Sequence, residues 1–215
     1  MDLVAKSFDL TAYTISNKCR LGDMNSRTIS YTLENAHNSN RSISIVVKKF
    51  GKLKGVKWAA LNAWSASTAS TFKHSFKVDP LFRLGTEYKA LMYLRYELGL
   101  NTPTILVVDL QRRILVTSQV EGKNMSHIIQ NSLKESTAGG ENNILIRTIG
   151  KQIAMIHSTQ SALGNIKPNN VIISNSNGSN SGIFFTDLEQ FVFSDDQHGS
   201  DPIWDIIQIL CWSLK

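Results

Sequence analysis

The chain has 215 residues, of which 42% are hydrophobic and 19% are charged, and its formal net charge is +6. This composition is ordinary for a globular protein, with either one domain or two small lobes around a cleft. No apolar run approaches the roughly 18 residues that a membrane span requires, and no secretory signal is visible. With only two cysteines, Cys19 and Cys211, a reduced cytoplasmic setting is expected.

Alternating residues predict two strands near the start of the chain, at 28–33 and 42–47. The polar residues 34–40 between them have the composition of a hairpin loop. Leucines and other apolar residues then recur at helical spacing over 81–98, and Gly99 is a stop signal for this helix.

The second half of the sequence predicts further strands and helices. Two strands at 104–108 and 114–117 precede an amphipathic helix over 144–158, and an apolar helix covers 204–214. Between these helices, short strands at 171–173 and 183–185 flank an Asn/Ser/Gly-rich hairpin tip. This order predicts an α+β protein, sheet-rich in its first half and helix-rich in its second.

The most informative segment runs from Ile156 to Asn170 and is followed, seventeen residues after Asn170, by Asp187-Leu188-Glu189. This pattern resembles the catalytic loop and metal-binding motif of the protein-kinase-like superfamily, H-x-D-x-x-x-x-N and then an aspartate after a hairpin. The resemblance implies a bilobal fold with an antiparallel-sheet first lobe and a short helical second lobe.

Within this resemblance, Asn170 and Asp187 match the residues that bind Mg²⁺, whose preferred ligands are oxygens. Lys167 matches a catalytic-loop lysine that faces the transferred phosphate. The implied cofactors are therefore ATP and Mg²⁺. From the residues alone, a polar turn followed by a β-hairpin is the alternative.

The resemblance also assigns residues on either side of the loop. Lys48, at the end of Ile45-Val46-Val47-Lys48, would hold the α- and β-phosphates, and Glu87 on the following helix would pair with it. Backbone groups around Ser118 and Val120 would meet the adenine. Asp205 matches the helix aspartate that braces the catalytic loop; an ordinary carboxylate at a helix N-terminus is the alternative.

The chain departs from the family pattern where the catalytic aspartate is expected, because Asn165 occupies that position. An amide has no useful basicity, so we expect weak phosphoryl transfer with nucleotide binding retained. The first strands also lack G-x-G-x-x-G and offer only Gly22, and the metal motif is Asp-Leu-Glu rather than Asp-Phe-Gly.

The compact second half is most similar to the small atypical kinases of the RIO, KEOPS-associated and Kdo-kinase types. The resemblance divides the chain into a first lobe, 1–121, and a second lobe, 122–215. An insertion at 51–79 carries lysines and two tryptophans, Trp58 and Trp64, which would pack on their own lobe or contact a membrane surface or nucleic acid.

Three functions are open at this point. The first is an ATP- and Mg²⁺-dependent phosphotransferase, of the Ser/Thr protein-kinase type, acting on a protein or a small molecule. The second is a pseudokinase that binds nucleotide and regulates a partner, which Asn165 favours. The third is a module associated with tRNA modification, which the positive charge allows.

Overall fold

The computed structural model of the protein describes residues 13–21, 28–35, 38–51, 56, 59–60, 62–63, 76–132, 141–174, 182–194 and 202–213. By their contacts, Met1–Phe50 and Thr104–Gln119 form one compact unit, and Gly51–Pro103 and Val120–Lys215 form a second. The lobe division expected from the sequence grouped 1–121 together, whereas contacts place the long helix at 80–96 in the second unit.

Strands and helices both occur in the described part of the chain. The strands are β1 (Tyr13–Leu21), β2 (Thr28–Asn35), β3 (Asn38–Lys49), β4 (Ile105–Asp109), β5 (Ile114–Ser118), β6 (Lys123–Asn124), β7 (Val171–Ser174) and β8 (Gly182–Phe185). The helices are α1 (Pro80–Tyr96), α2 (Met125–Ser132), α3 (Glu141–Ser158) and α4 (Pro202–Ser213), and a 3-10 turn covers Pro168–Asn170. The predicted α+β class is confirmed.

The first unit contains a five-stranded antiparallel sheet with the strand order β1-β2-β3-β5-β4. Side chains alternate between the two faces of a strand, and in β5 the buried residues are Leu115 and Thr117. Leu33 on β2 and Ile45 on β3 are also buried. Because Ile45 pairs with Ser118 and not with Thr117, Leu33 and Ile45 lie on the face opposite to that of Leu115 and Thr117, and both faces of the sheet carry buried residues.

The loop predicted at 34–40 is too long, because the strands on both sides extend into this range. Strand β2 continues to Asn35 and β3 already begins at Asn38, with Glu34 opposite Ser42. A register shift follows between Glu34 and Asn35. Polar residues are compatible with a strand whose side chains need no burial, so composition alone could not place the end of this hairpin.

Helix α1 was predicted at 81–98 and occupies Pro80–Tyr96. The Asp79 side chain accepts hydrogen bonds from the backbone N–H groups of Leu81 and Phe82, both at 2.9 Å, and Pro80 occupies the first turn. Gly99, just beyond the helix, has a φ of 64°, a left-handed conformation that glycine adopts without a Cβ penalty.

The second unit contains the larger set of buried apolar side chains. Helix α1 contributes Leu84, Leu91 and Leu94, and α3 contributes apolar residues at the predicted helical spacing. The antiparallel sheet β6-β7-β8 lies in the same unit. The core residues from α3 and this sheet are Ile149, Ile153, Ile156, Val171, Ile173, Ile183, Phe184 and Phe185.

The structure bears in part on the predictions about membrane spans and about the two cysteines. In the described part of the chain, no helix has both the length and the apolar character needed to cross a bilayer. Cys19 and Cys211 are free and exposed. Of the 51–79 segment, Lys52, Lys54, Lys57, Trp58 and Trp64 lie outside the described residues, as does Gly22.

Candidate functional site

The β7–β8 hairpin brings Asn170 and Asp187 together. Val171 pairs with Phe185, so the residues just before β7 lie beside those just after β8. Thr186 strengthens this juncture, because its backbone N–H and its hydroxyl both donate to the carbonyl oxygen of Asn170, each at 2.9 Å. The Asn170 side-chain nitrogen then lies 3.4 Å from an Asp187 carboxylate oxygen.

The Asp187 backbone has an uncommon conformation, with a φ of 56°. Left-handed φ values are unfavourable for most residues that carry a Cβ, and they cluster at functional sites. The side chain of Asp187 is half-buried. The chain therefore turns sharply at the residue for which the sequence predicts metal binding.

The loop before the 3-10 turn is braced by Asp205, a fully buried residue of helix α4. Its two carboxylate oxygens accept hydrogen bonds from the backbone N–H groups of Leu163, at 2.7 Å, and Gly164, at 2.8 Å. His157, at the end of α3, also lies 3.0 Å from the carboxylate through its Nε2 atom. The predicted bracing role of Asp205 is confirmed.

Gly164 is the point of closest approach in this loop. Its φ is 74°, and a Cβ built on it would lie 2.0 Å from the carbonyl oxygen of Gln190. The ring nitrogen of Trp204 donates to the Gly164 carbonyl at 3.2 Å. No residue except glycine fits here, and the loop is thereby fixed against the segment that follows Asp187.

Asn165, the predicted substitute for the catalytic aspartate, is 5% exposed. Its side-chain nitrogen is buried and has no hydrogen-bond partner among the described residues. Together with Asn170 and Asp187 it lines a small pocket, of which about 10 Å³ is accessible to water. A buried donor without a partner is costly, so its position in this pocket is consistent with a ligand or water contact.

An acidic cluster that the sequence did not predict surrounds Asp187. Carboxylate oxygens of Glu87, Asp187 and Glu189 all lie within 4.8 Å of one another. Glu87 is on α1, and both it and Glu189 are buried. Exposed acidic groups often cluster without a metal ion, so the distances alone assign no ligand.

Arg83, also on α1, is paired with this cluster. Its Nη1 atom lies 3.3 Å from Glu189, and the two side chains are 1% and 0% exposed. An arginine on a helix is usually exposed, and the local sequence does not distinguish Arg83 from such an exposed residue. Only Glu189, in Asp-Leu-Glu, indicated that an acidic partner for Arg83 could lie near Asp187.

The remaining predicted residues lie elsewhere in the two units. Lys167 is half-buried just before the 3-10 turn, and its carbonyl accepts from the Asn170 N–H at 2.8 Å. In the first unit, Lys48 is half-buried with its Nζ atom 5.1 Å from the Phe50 ring centre.

Ser118 ends β5, and its backbone N–H donates to Thr104 at 2.8 Å. Val120 is half-buried and belongs to the second unit. The roles predicted for Lys48, Ser118 and Val120 stay predictions.

The sequence matches no protein-family model, and no curated protein is similar enough to count as a relative. The resemblance to kinases therefore depends on the motifs themselves. The second unit brings together Asn170, Asp187 and Glu87, and separately braces the loop through Asp205. This geometry is the basis for the proposals that follow.

Proposed function

We propose that the chain is a protein-kinase-like protein that binds ATP with Mg²⁺ and in which phosphoryl transfer is strongly impaired. The proposed architecture has two lobes, an antiparallel-sheet lobe and a short helical lobe, as the sequence resemblance implies. Its closest counterparts would be the small atypical kinases. The acceptor would be a protein or a small molecule.

The observation that carries this proposal is the side-by-side position of Asn170 and Asp187 at the end of the β7–β8 hairpin. Amide and carboxylate oxygens are ligands suited to Mg²⁺. The side-chain nitrogen of Asn170 faces Asp187, and a half-turn of the amide would exchange this nitrogen for the oxygen. The donor set therefore fits a divalent cation.

In this proposal, Mg²⁺ would, when bound, supply positive charge beside the nucleotide phosphates. Asp187 and Asn170 would hold the ion. Lys48 would hold the α- and β-phosphates, Lys167 would face the transferred phosphate, and backbone groups around Ser118 and Val120 would meet the adenine.

Asn165 is the reason to expect impaired transfer. In active kinases a carboxylate at this position accepts the proton of the attacking hydroxyl. The Asn165 amide can orient a hydroxyl through a hydrogen bond but cannot accept its proton. Positioning and metal charge would remain, so residual transfer is expected rather than complete loss.

A pseudokinase is the second candidate function, and the burial of Asn165 favours it. The Asn165 side-chain nitrogen, which has no hydrogen-bond partner among the described residues, is a donor in a residue that lines the same pocket as Asp187. A hydrogen-bond donor at this position suits a phosphoryl oxygen, which accepts. It suits a substrate hydroxyl less well, because that hydroxyl must give up its proton to an acceptor. Such a protein would bind nucleotide tightly and act by regulating a partner.

Nucleotide binding is tested by calorimetry with ATP, with and without Mg²⁺. Binding that requires Mg²⁺ in the wild-type chain, and that Asp187→Asn weakens by about 10-fold or more, is the expected result. Asp109→Asn is the control, since Asp109 lies on the β4–β5 turn of the first unit. Absence of Mg·ATP binding by the wild-type chain would remove the proposal.

Impaired transfer is tested by comparing ATP turnover in the wild-type chain and in Asn165→Asp. Restoring a carboxylate is expected to raise turnover by about 100-fold, the lower end of what general-base catalysis contributes. Asn169→Asp is the matched control, because Asn169 is an exposed asparagine in the same loop. Equal turnover in the wild type and Asn165→Asp would refute the role assigned to Asn165.

A further inference from the structure

The Arg83–Glu189 ion pair joins helix α1 to the segment that follows Asp187. Both side chains are almost fully buried, and Arg83 also donates to the Gly51 carbonyl through Nη2, at 2.6 Å. Glu87 lies four residues after Arg83, so both residues lie on the same side of α1. The ion pair is thus close to the point where Glu87 and Asp187 approach each other.

Neighbouring contacts join the same two segments. The Gln190 amide makes two hydrogen bonds with the backbone of Lys77, accepting from its N–H at 2.7 Å and donating to its carbonyl at 3.0 Å. Tyr93 on α1 packs against the rings of Phe191, at 6.1 Å, and Phe193, at 5.7 Å. Both polar and apolar contacts therefore hold α1 and the residues just before it against the segment that follows Asp187.

The Arg83–Glu189 ion pair places a positive charge beside the carboxylates. Three carboxylate groups within 4.8 Å of one another repel when all are ionised, and the Arg83 guanidinium is the cation bound to one of them. Breaking a buried pair by removing one partner is strongly unfavourable, because the other charge is left without compensation. The pair therefore constrains where Glu189, and with it Asp187, can lie.

We propose that Arg83 and Glu189 are positioning residues, which hold α1 against the Asp187 segment so that Glu87 and Asp187 remain together without a partner or a modification. This inference rests on the proposed function, because it concerns how the Mg·nucleotide site is assembled.

A direct role for Glu189 is the competing explanation, and it predicts the opposite result. If Glu189 were itself a metal ligand, removing the Arg83 charge would release its carboxylate and leave metal binding equal or tighter. If Arg83 and Glu189 position Asp187, the same change disorders the site and weakens binding. The Arg83→Gln variant therefore separates the two roles by the sign of its effect.

The experiment titrates Mg²⁺ into the full chain at fixed concentration of the non-hydrolysable nucleotide AMP-PNP and measures binding by calorimetry. For Arg83→Gln we expect the half-saturating Mg²⁺ concentration to rise by about 10-fold, the lower end of the effect of removing residues that orient metal ligands. Glu189→Gln should change it in the same direction. In the double variant, the loss of Mg²⁺-binding free energy should be smaller than the sum of the losses in the two single variants, because the residues act as a pair.

Arg95→Gln is the matched control, since Arg95 lies on the same helix and donates to the Thr102 carbonyl, away from the cluster. It should lower the melting temperature without changing the Mg²⁺ requirement. If Arg83→Gln does not fold, Arg83→Lys replaces it; this variant keeps the charge but shortens the reach, and a smaller shift in the same direction is expected.

The outcomes separate the two proposals. If the wild-type chain binds Mg·AMP-PNP and Arg83→Gln, or Arg83→Lys in its place, binds it equally or more tightly, the positioning role is wrong and the proposed function stands. If the wild-type chain shows no binding, the proposed function fails and the positioning role fails with it.

Discussion

The braced loop of the second unit and strand β1 of the first unit are held in place in different ways. Residues 161–166 are all buried, and their backbone is bound by the Asp205 carboxylate and by paired hydrogen bonds between Ala162 and Val192, at 2.8 and 2.9 Å. In β1, residues 14–20 are all exposed, and pairing with β2 along the backbone fixes the strand.

The difference shows where specific side chains matter. The loop has no regular ladder, so a few buried groups must satisfy its N–H groups and define its path. A ladder is made of backbone groups that every residue except proline supplies. Substitutions in the loop should therefore cost far more than substitutions in β1, and three variants test this contrast.

The largest effect is expected for Asp205→Ala. This change leaves the N–H groups of Leu163 and Gly164 buried without an acceptor and removes the partner of His157. We expect the free energy of unfolding, measured with urea, to fall by about 3–5 kcal/mol. Asp109→Ala, which removes an acceptor from an exposed turn, should cost about 1 kcal/mol or less. Similar losses for both variants would contradict the bracing role.

A smaller but still large effect is expected for Gly164→Ala. The new Cβ would collide with the Gln190 carbonyl and would also force a left-handed φ on alanine. The loss should be about 2–4 kcal/mol by thermal or urea unfolding. Gly150→Ala is the matched control: Gly150 lies in helix α3 with open space around it, so alanine should stabilise the protein by about 0.5–1 kcal/mol.

The smallest effect is expected for Ile15→Thr in β1. Ile15 is 64% exposed, and threonine is also β-branched and suited to a strand. The free energy of unfolding should change by no more than about 0.5 kcal/mol. If the free energy of unfolding falls by more than about 2 kcal/mol, β1 depends on side-chain burial, and the proposed difference between β1 and the loop is wrong.

Much of this architecture follows from local sequence. Helix α1 was expected at 81–98 and occupies Pro80–Tyr96, because its apolar residues recur at helical spacing and Gly99 is a local stop signal. Strands were expected at 171–173 and 183–185 from short apolar runs beside a polar tip, and they occupy Val171–Ser174 and Gly182–Phe185. Asp205 was assigned its bracing role through the family resemblance rather than from its own surroundings.

The contacts that were missed join residues far apart in the chain. Arg83 and Glu189 are separated by 106 positions, and each alone resembles a solvated surface charge. The Gln190 contact with Lys77 spans 113 positions and uses backbone atoms, which no residue pattern records. The helix α2 at Met125–Ser132 also went unpredicted, since its eight residues are fewer than the roughly 11 over which helical periodicity is judged.

The left-handed turn at Asp187 decides which substitutions can isolate its charge. Asparagine adopts positive φ readily, whereas alanine resists it, so Asp187→Ala would change the course of the backbone as well as remove the carboxylate. An amide replacement keeps the bend and alters only ionisation. Functional loss in Asp187→Asn would thus report on electrostatics, and any additional loss in the alanine variant would report on chain geometry.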